Sequence, residues 1–466
     1  MFSLLTIFSI LFTLSASTSL ADSLGSKSNA GYNIHAVLVA GSSTFDNYRH
    51  QANVCHAYHV LRNHGVPAEN IIVMMYDDIA NNPENPFPGK IFNAPNGTDV
   101  YAGVVKDYTG EEVTPENFLG VLKGDKALAA KGKKVLTSGP NDHVFIYFSD
   151  HGATGLVGFP SDTLSSDDLN KALVYMHDNK LYGKLTFYLE ACESGSMLEN
   201  ILPDNISIYA TSSTNSEESG YACYCDDPKI DTCLGDEFSV AWLEDSDSHD
   251  ITKETLEQQF KDVVKHTPSS HPQQFGQKSL DSLDVGQFQG EKAGEIHSPR
   301  RHPKSSVNAR DVPLVMLKRK IKRTNDAAEA AVHAKKLHTL IAGRRFLESG
   351  IKKIITQLCS DGYCSDAKQV MSTRRPLVNH STYSKVAKKF QSSCLNLGIH
   401  THGMKFMYAF ANLVESNNFN ESTLNRFLED LERVCNNHIV DHGFKAIVLE
   451  KYLAKSVFAL KLNEID

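Results

Sequence analysis

The sequence predicts an α/β domain built on a mostly parallel sheet, followed by a small all-α domain. Two observations carry this. Between Asn33 and Gly290, continuous apolar runs of strand length alternate with stretches of helical periodicity. Runs without a polar face suit strands covered on both sides by helices. Beyond Gly290 the strand-like runs stop, the charge changes sign and helical periodicity remains. At 466 residues the chain exceeds one ordinary domain, and its 41% hydrophobic and 22% charged residues are those of a globular protein.

Taken in order, Phe2 to Leu14 form a short apolar run ahead of Ser19-Leu20-Ala21. This is the pattern of a secretory signal peptide over residues 1–21, with a spacer over 22–32. The run is too short to span a bilayer, and no later segment reaches the roughly 18 apolar residues a membrane helix needs. Strands are expected at His35–Ala40, Ile71–Tyr76, His143–Phe148, Leu185–Leu189 and Ile206–Ala210, with helices over His50–Asn63 and Ser166–His177. Together they make a domain over residues 33–290. Residues 291–325 contain Pro299, Pro303 and Pro313, and Arg300–Arg323 carries nine Lys and Arg against Asp311 alone. That composition predicts an exposed basic linker open to proteolysis. Helical patterns at Ala327–Phe346, Leu347–Leu358, Val386–Cys394 and Leu424–Cys435 place the all-α domain over 326–466.

The net charge of −8 conceals a division: residues 33–290 carry 17 Lys and Arg against 37 Asp and Glu, and residues 291–466 carry 29 against 17. Halves of −20 and +12 attract, which predicts that the basic domain docks on the acidic one. Nucleic-acid binding by the basic half is the competing reading, and the secretory leader weighs against it. Falling pH protonates carboxylates and charges histidines, so acid should loosen such docking.

The third apolar run ends in Ser149-Asp150-His151-Gly152, and the fourth in Glu190-Ala191-Cys192-Glu193-Ser194-Gly195. Parallel sheets place their sites at the carboxyl ends of strands, so His151 and Cys192 should face one crevice. A thiol needs a base to become a good nucleophile, and imidazole supplies one. The backbone N–H groups of Cys192 and Gly152 are candidates for an oxyanion hole. A buried core thiol is the alternative for a lone cysteine, but two such turns after two strands favour catalysis. The histidines at 50, 56 and 59 have no metal-binding motif around them, so no metal or cofactor is expected.

The segments Asn47-Tyr-Arg-His-Gln-Ala, Met74-Met-Tyr-Asp-Asp-Ile-Ala, Lys106-Asp-Tyr-Thr-Gly, Ser149-Asp-His-Gly, Glu190-Ala-Cys-Glu-Ser-Gly-Ser-Met and Leu234-Gly-Asp resemble those of the legumain family. The resemblance implies a caspase-like three-layer sandwich and a thiol endopeptidase made as a zymogen, cutting after Asn and, at lower pH, after Asp. It matches Asn47 to the residue that orients the catalytic histidine, and Arg49, His50, Glu190 and Asp236 to the pocket for the residue before the cut bond (P1). Asn325 resembles the family's processing site, and Asn308 is a second candidate. Implied partners are protein substrates, the chain's own prodomain as inhibitor, and cystatin-type inhibitors; the implied destination is a lysosome-like compartment. The GPI-transamidase subunit shares the His and Cys motifs, but it normally carries a membrane segment where this chain has a basic helical domain.

Two departures stand out. Ser219-Gly220 replaces a pair of serines, which puts pocket affinity in question, and Lys123-Gly124-Asp125 replaces an Arg-Gly-Asp triplet. Of the nine cysteines, Cys225 and Cys233 resemble a family bridge, as do Cys394 and Cys435, while Thr382 and Val414 stand where another bridge would be. Cys359 and Cys364 suit a small loop, and Cys55 and Cys223 are expected reduced. Sequons at Asn96, Asn205, Asn379 and Asn420 are candidate glycosylation sites.

Overall fold

All five apolar runs form strands of one sheet in the computed structural model, which describes residues 31–294 and 305–438. Numbered along the chain, they are β1 (Ile34–Ala40), β2 (Ile71–Met75), β3 (His143–Ser149), β7 (Lys184–Glu190) and β8 (Ile208–Ser212). They lie parallel in the order β8-β7-β3-β1-β2. An antiparallel edge strand, β11 (Gln273–Gly276), joins β8; its half-buried Gln-Gln-Phe-Gly has no apolar run to betray it.

Alternation along each strand divides the side chains between two cores. Ala36, Leu38 and Ala40 face α1 (Tyr48–Asn63), α5 (Glu237–Ser248), α6 (Leu256–His266) and α7 (Gly286–Gln289), whereas Val37 and Val39 face α2 (Pro115–Leu122) and α4 (Ser166–Asp178). A short α3 (Lys126–Ala130) follows α2. Trp242 of α5 anchors the first core, edge-on to Phe145, Tyr147 and Tyr188. Strand periodicity thus makes three layers. After β3 the chain forms an antiparallel meander of β4 (Gly152–Ala153), β5 (Leu156–Phe159) and β6 (Asp162–Ser165).

Part of the expected linker is folded. Val307–Asn308 forms β12, which joins β9 (Tyr221–Cys223) and β10 (Gly235–Asp236) in the order β10-β9-β12. Val312–Arg323 is helix α8, whose Val312 and Met316 are buried against Ala222, Cys225 and Cys233. The correction has a local cause. Pro313 lies in the first helical turn, where its missing N–H costs nothing, and an i, i+4 apolar pair supplies the buried face. Residues 295–304 of that segment, the expected signal peptide and residues 439–466 lie outside the described residues.

The helical domain comprises α9 (Ala327–Leu358), α10 (Ala367–Val370), α11 (His380–Ser393), α12 (Met407–Ser416) and α13 (Glu421–His438). The two helices expected between Ala327 and Leu358 are one, since neither Phe346 nor Leu347 interrupts the helix. Ile351, Ile355, Phe390, Phe410, Phe427 and Leu431 pack its core. Disulfides join Cys225 to Cys233, Cys359 to Cys364 and Cys394 to Cys435, while Cys55, Cys192 and Cys223 are free and buried. No described helix is long and apolar enough to cross a membrane.

The helical domain rests on the meander. Ala153 and Leu156 belong to its core, alongside Leu377, Tyr383 and Met404. Gly155 sits at φ +62°, and a Cβ there would lie 2.6 Å from Leu377 and 2.9 Å from Tyr383, so both backbone and contact call for glycine. Tyr383 donates to Thr154 O at 2.6 Å, and Ser384 Oγ lies 2.8 Å from Ser165 Oγ. Met316→Lys should undock α8 by burying an unpaired ammonium. At neutral pH, trypsin should then cut the full chain within 305–323 at least about tenfold faster than in the parent; equal rates would mean the segment is already loose.

Candidate active site

The register of β3 against β7 pairs Ser149 with Glu190, and Asp150 N–H donates to Glu190 O at 3.1 Å. The two strands therefore end side by side, with His151 and Cys192 each two residues further on. Gly152 packs on the turn after β7 so closely that a Cβ would collide with the Cys192 carbonyl. Just past Cys192, Glu193 adopts a left-handed conformation at φ 50°, uncommon for a residue with a side chain, and its N–H donates to Glu218 O at 2.7 Å. This turn aims the thiol out of the sheet.

Asn47 precedes α1 and fixes the imidazole. Its Nδ2 donates to Ser43 O at 2.9 Å, which turns Oδ1 toward His151 Nε2 at 2.8 Å. A carboxamide oxygen only accepts, so Nε2 carries the proton and Nδ1 is left as the basic nitrogen. Gly220 N–H donates to Cys192 Sγ at 3.3 Å. Burial pushes the thiol up, with Arg310 pulling the other way. Burial, reinforced by Arg49 and Arg310, holds His151 well below the ordinary imidazole range. The pair as it stands is uncharged.

Arg49 and His50 follow on the first turn of α1, and Arg49 is wholly buried. Its Nε donates to Asp236 Oδ1 at 2.8 Å and Nη1 to Asp46 O at 3.1 Å, leaving Nη2 buried with no partner. Glu190 Oε2 accepts from Ser239 Oγ at 3.1 Å. Burial and the neighbouring Asp236 hold Glu190 well above the usual carboxylate range, and burial also raises Asp236, with Arg49 and Asn53 opposing. His50 Nδ1 lies 2.6 Å from Ser42 Oγ and 3.3 Å from Asp150 Oδ1. Burial pushes Asp150 up to about 8 and lowers His50 well below its ordinary value. At Gly220 a Cβ would lie 3.2 Å from Glu190 Oε1, so glycine widens the wall where the family carries serine. The four pocket residues named from sequence thus converge, and Asp150, Asn53 and Ser239 join them.

The sequence did not single out Arg310. Carried in by β12, its Nη2 donates to Gly152 O at 2.7 Å and Glu193 Oε2 at 2.6 Å, while Nη1 reaches Ser219 Oγ at 2.7 Å. Arg374 Nη1 lies 3.5 Å from the other Glu193 oxygen, its guanidinium stacked 3.8 Å from the Tyr408 ring. Only the density of basic residues hinted at these two. Lys388–Asp168, Lys320–Glu84 and Arg323–Asp231 also cross between the halves, and in all five pairs the base comes from the C-terminal half.

Asn308 does not enter the pocket: it pairs with Tyr221, and its Oδ1 accepts from Arg310 N–H at 3.1 Å. Asn325 is exposed between α8 and α9. The four sequon asparagines, Asn96, Asn205, Asn379 and Asn420, are all exposed. Among the described residues, two side-chain groups bring possible metal donors within 4.8 Å of one another, His50-Asp150-His151 and Asp245-His249-Glu254. In the first, His50 is hydrogen-bonded to Ser42 and His151 to Asn47.

The profile of the Peptidase C13 family matches residues 34–291, and that of the legumain prodomain matches residues 335–442. Legumain from Mus musculus is 48% identical over 410 residues, covering 86% of this chain and 92% of that protein. Legumain from Homo sapiens is 46% identical over 410 residues, covering 86% and 93%. Hemoglobinase from Schistosoma japonicum is 46% identical over 365 residues, covering 78% and 84%. A solved caspase-1 from Spodoptera frugiperda aligns with 56% of this chain and 91% of that one, at 11% identity and a TM-score of 0.32. This chain belongs to the Peptidase C13 family and is a legumain-type cysteine endopeptidase with its prodomain attached.

Proposed function

We propose that this enzyme hydrolyses peptide bonds after Asn, and after Asp at lower pH, and that it is made as a zymogen activated by acid and self-cleavage. The unpartnered Arg49 Nη2, buried on the guanidinium whose Nε donates to Asp236, carries the specificity reading. A P1 carboxamide is half acceptor and half donor: its oxygen accepts a hydrogen bond from the guanidinium and its NH2 donates to the carboxyl oxygens. A P1 Asp offers a donor only when protonated, hence its need for acid.

Catalysis follows from the tautomer. His151 Nδ1 takes the Cys192 proton, and the thiolate attacks the P1 carbonyl carbon. The N–H groups of Cys192 and Gly152 receive the oxyanion. His151 returns the proton to the departing amine, leaving a thioester, which water attacks with Nδ1 again as base. Asn47 Oδ1 holds the ring and steadies the imidazolium. In the docked state Arg310 spans this site and holds the Gly152 carbonyl and Glu193, so a substrate chain cannot lie there.

Release by acid is best attributed to histidine. His380 stands at the interface, with Nδ1 2.7 Å from Ser166 Oγ and Nε2 donating to Glu199 O at 3.1 Å, and burial lowers its pKa. A histidine with a depressed docked value favours docking when neutral. That contribution is complete above its ordinary value of about 6.5 and fades as pH falls toward the depressed one. His402, lowered to about 4 by burial and then Arg344, acts in the same sense further down. Asp168 beside Lys388 is held below its ordinary value despite burial, so its attraction survives to still lower pH. Once the domain loosens, exposed Asn325 is the first cut, making separation permanent, with Asn308 as the later one. The same reading gives the protein a secretory route to a lysosome-like compartment, a role in protein degradation and processing, and cystatin-type inhibitors as partners.

Cys192→Ser or His151→Ala should abolish cleavage of an Asn-P1 peptide while the precursor remains folded by circular dichroism; turnover in either purified variant would remove that residue from the chemistry. Asp236→Ala or Arg49→Ala should lower kcat/KM for the Asn-P1 peptide more than about tenfold, since each strands a polar group in a buried pocket. A wild-type preference for basic or aromatic P1 in a peptide library would overturn the pocket assignment. His380→Asn keeps a polar partner but cannot charge. Self-processing, followed by mass spectrometry of the termini, should then need a pH lower by roughly half a unit or more. An unchanged pH midpoint would acquit His380.

A further inference from the structure

We propose that His56, Asn93 and Asn53 form a directional hydrogen-bond relay that positions Asp236, so that affinity for the P1 side chain is set partly from the far side of α1. This rests on the pocket reading above and names residues behind it.

Each bond in the relay has a determined polarity. Asn93 Nδ2 lies 2.9 Å from the Leu234 carbonyl, which only accepts, so this end of the amide is the donor. The same Nδ2 donates to Asn53 Oδ1 at 2.9 Å. Asn53 is thereby turned with Nδ2 toward Asp236 Oδ2 at 2.8 Å and Ser149 Oγ at 3.2 Å. Asp236 Oδ1 meanwhile accepts from Arg49, so one carboxylate is gripped from both sides. At the other end, Asn93 Oδ1 faces His56 Nδ1 at 2.8 Å, and His56 Nε2 faces Asp247 Oδ2 at 2.8 Å. Both ring nitrogens meet acceptors, so both carry protons. Burial opposes that charge, but Asp247, Asn93 and Glu244 outweigh it and raise His56 above its ordinary value. Asp247 and Glu244 face the ring from α5, and His59 from its own helix.

Asn53, Asn93 and Asp236 are at most 4% exposed, so water does not replace a lost donor. Turning either amide over would present an oxygen to an oxygen. The relay ties α1, α5 and the Asn93 loop to the carboxylate that receives the substrate amide, and to Leu234 two residues before it. None of the three touches the reacting atoms; they are positioning residues.

The test uses the mature enzyme and an Asn-P1 peptide. Asn93→Asp keeps the shape but replaces the donor with an acceptor, so Asn53 turns to donate to it and presents its oxygen to Asp236. KM should rise about tenfold with kcat within about twofold, because an interaction common to bound substrate and transition state is lost. Alkylation of Cys192 by iodoacetamide should keep the parent rate, which a general loosening of the site would not spare. In an Asp236→Ala background Asn93→Asp should add nothing further to KM. His56→Phe, which removes the donor to Asn93 Oδ1, should raise KM in the same direction. An unchanged KM in Asn93→Asp, a full additive rise in the Asp236→Ala background, or joint loss of kcat and alkylation would overturn the relay. Should Asn93→Asp fail to fold, Asn53→Ala removes the last donor without adding charge, and an unchanged KM there overturns it equally. If Asp236→Ala itself leaves KM unaltered, the pocket reading fails instead.

Discussion

The parallel register between β3 and β7 is the constraint on which the rest depends. Aligning Ser149 with Glu190 brings two strand ends together, and every later feature of the site is measured from that alignment. A one-residue slip would turn the strand faces over and send Cys192 away from His151. The register holds because each strand is apolar on both faces and each face meets its own helical layer, so any slip would strand core side chains. The site then forms at the carboxyl edge, where the ladder ends and backbone groups become free to bind something else. α1 and the Asn47 just before it complete it from one side, bringing the carboxamide that bonds the imidazole and the guanidinium that bonds Asp236.

Burying so many ionisable groups at one edge determines how the site behaves. Arg49, His50, Asp150, His151, Glu190, Glu193 and Asp236 are all buried. Carboxyls are pushed up and imidazoles down, because charge is expensive in a poorly solvated cavity. Arg310, carried over this edge by β12, disfavours a charged His151 but favours the ionised forms of Cys192 and Glu193. A neutral thiol beside a neutral imidazole is a dormant pair. The covered cleft, with Arg310 bonded to the Gly152 carbonyl and Glu193, is a second component of that dormancy.

Much of this was legible in the sequence where a signal was local. The apolar runs, the helix after Asn47, the Asp-His-Gly and Glu-Ala-Cys turns and the halves of opposite charge each come from contiguous residues. Features that needed two distant segments to meet were not. β11 is too polar to look like a buried strand, and it exists because β8 offers an open edge. β12 and α8 lay in what composition described as a linker, since a basic, proline-containing stretch can fold when another surface supplies half of its core. Arg310, Glu193 and the Asn53–Asn93 amides were invisible for the same reason: a residue's partner is not written beside it. Gly220 put pocket affinity in question, and what the sequence could not say is that the space it leaves lies against Glu190.

The docking interface shows why the lock can be both specific and reversible. A buried ion pair such as Arg310–Glu193 gains Coulombic energy but forfeits the hydration of two charges, so its net contribution to docking is small. Three of the crossing pairs are partly solvated, and each contributes at most about 1 kcal/mol. The adhesive energy must then come chiefly from apolar contact, where Ala153 and Leu156 are enclosed by Leu377, Tyr383 and Met404. Charge sets where the domain sits; apolar area holds it there. An interface made this way does not need its strongest bond to be broken by acid. His380 of the prodomain is a buried neutral group of that interface, set against Ser166 and Glu199, and burial lowers its pKa. Under the acid release proposed above, the group that titrates sits on the prodomain side of the interface.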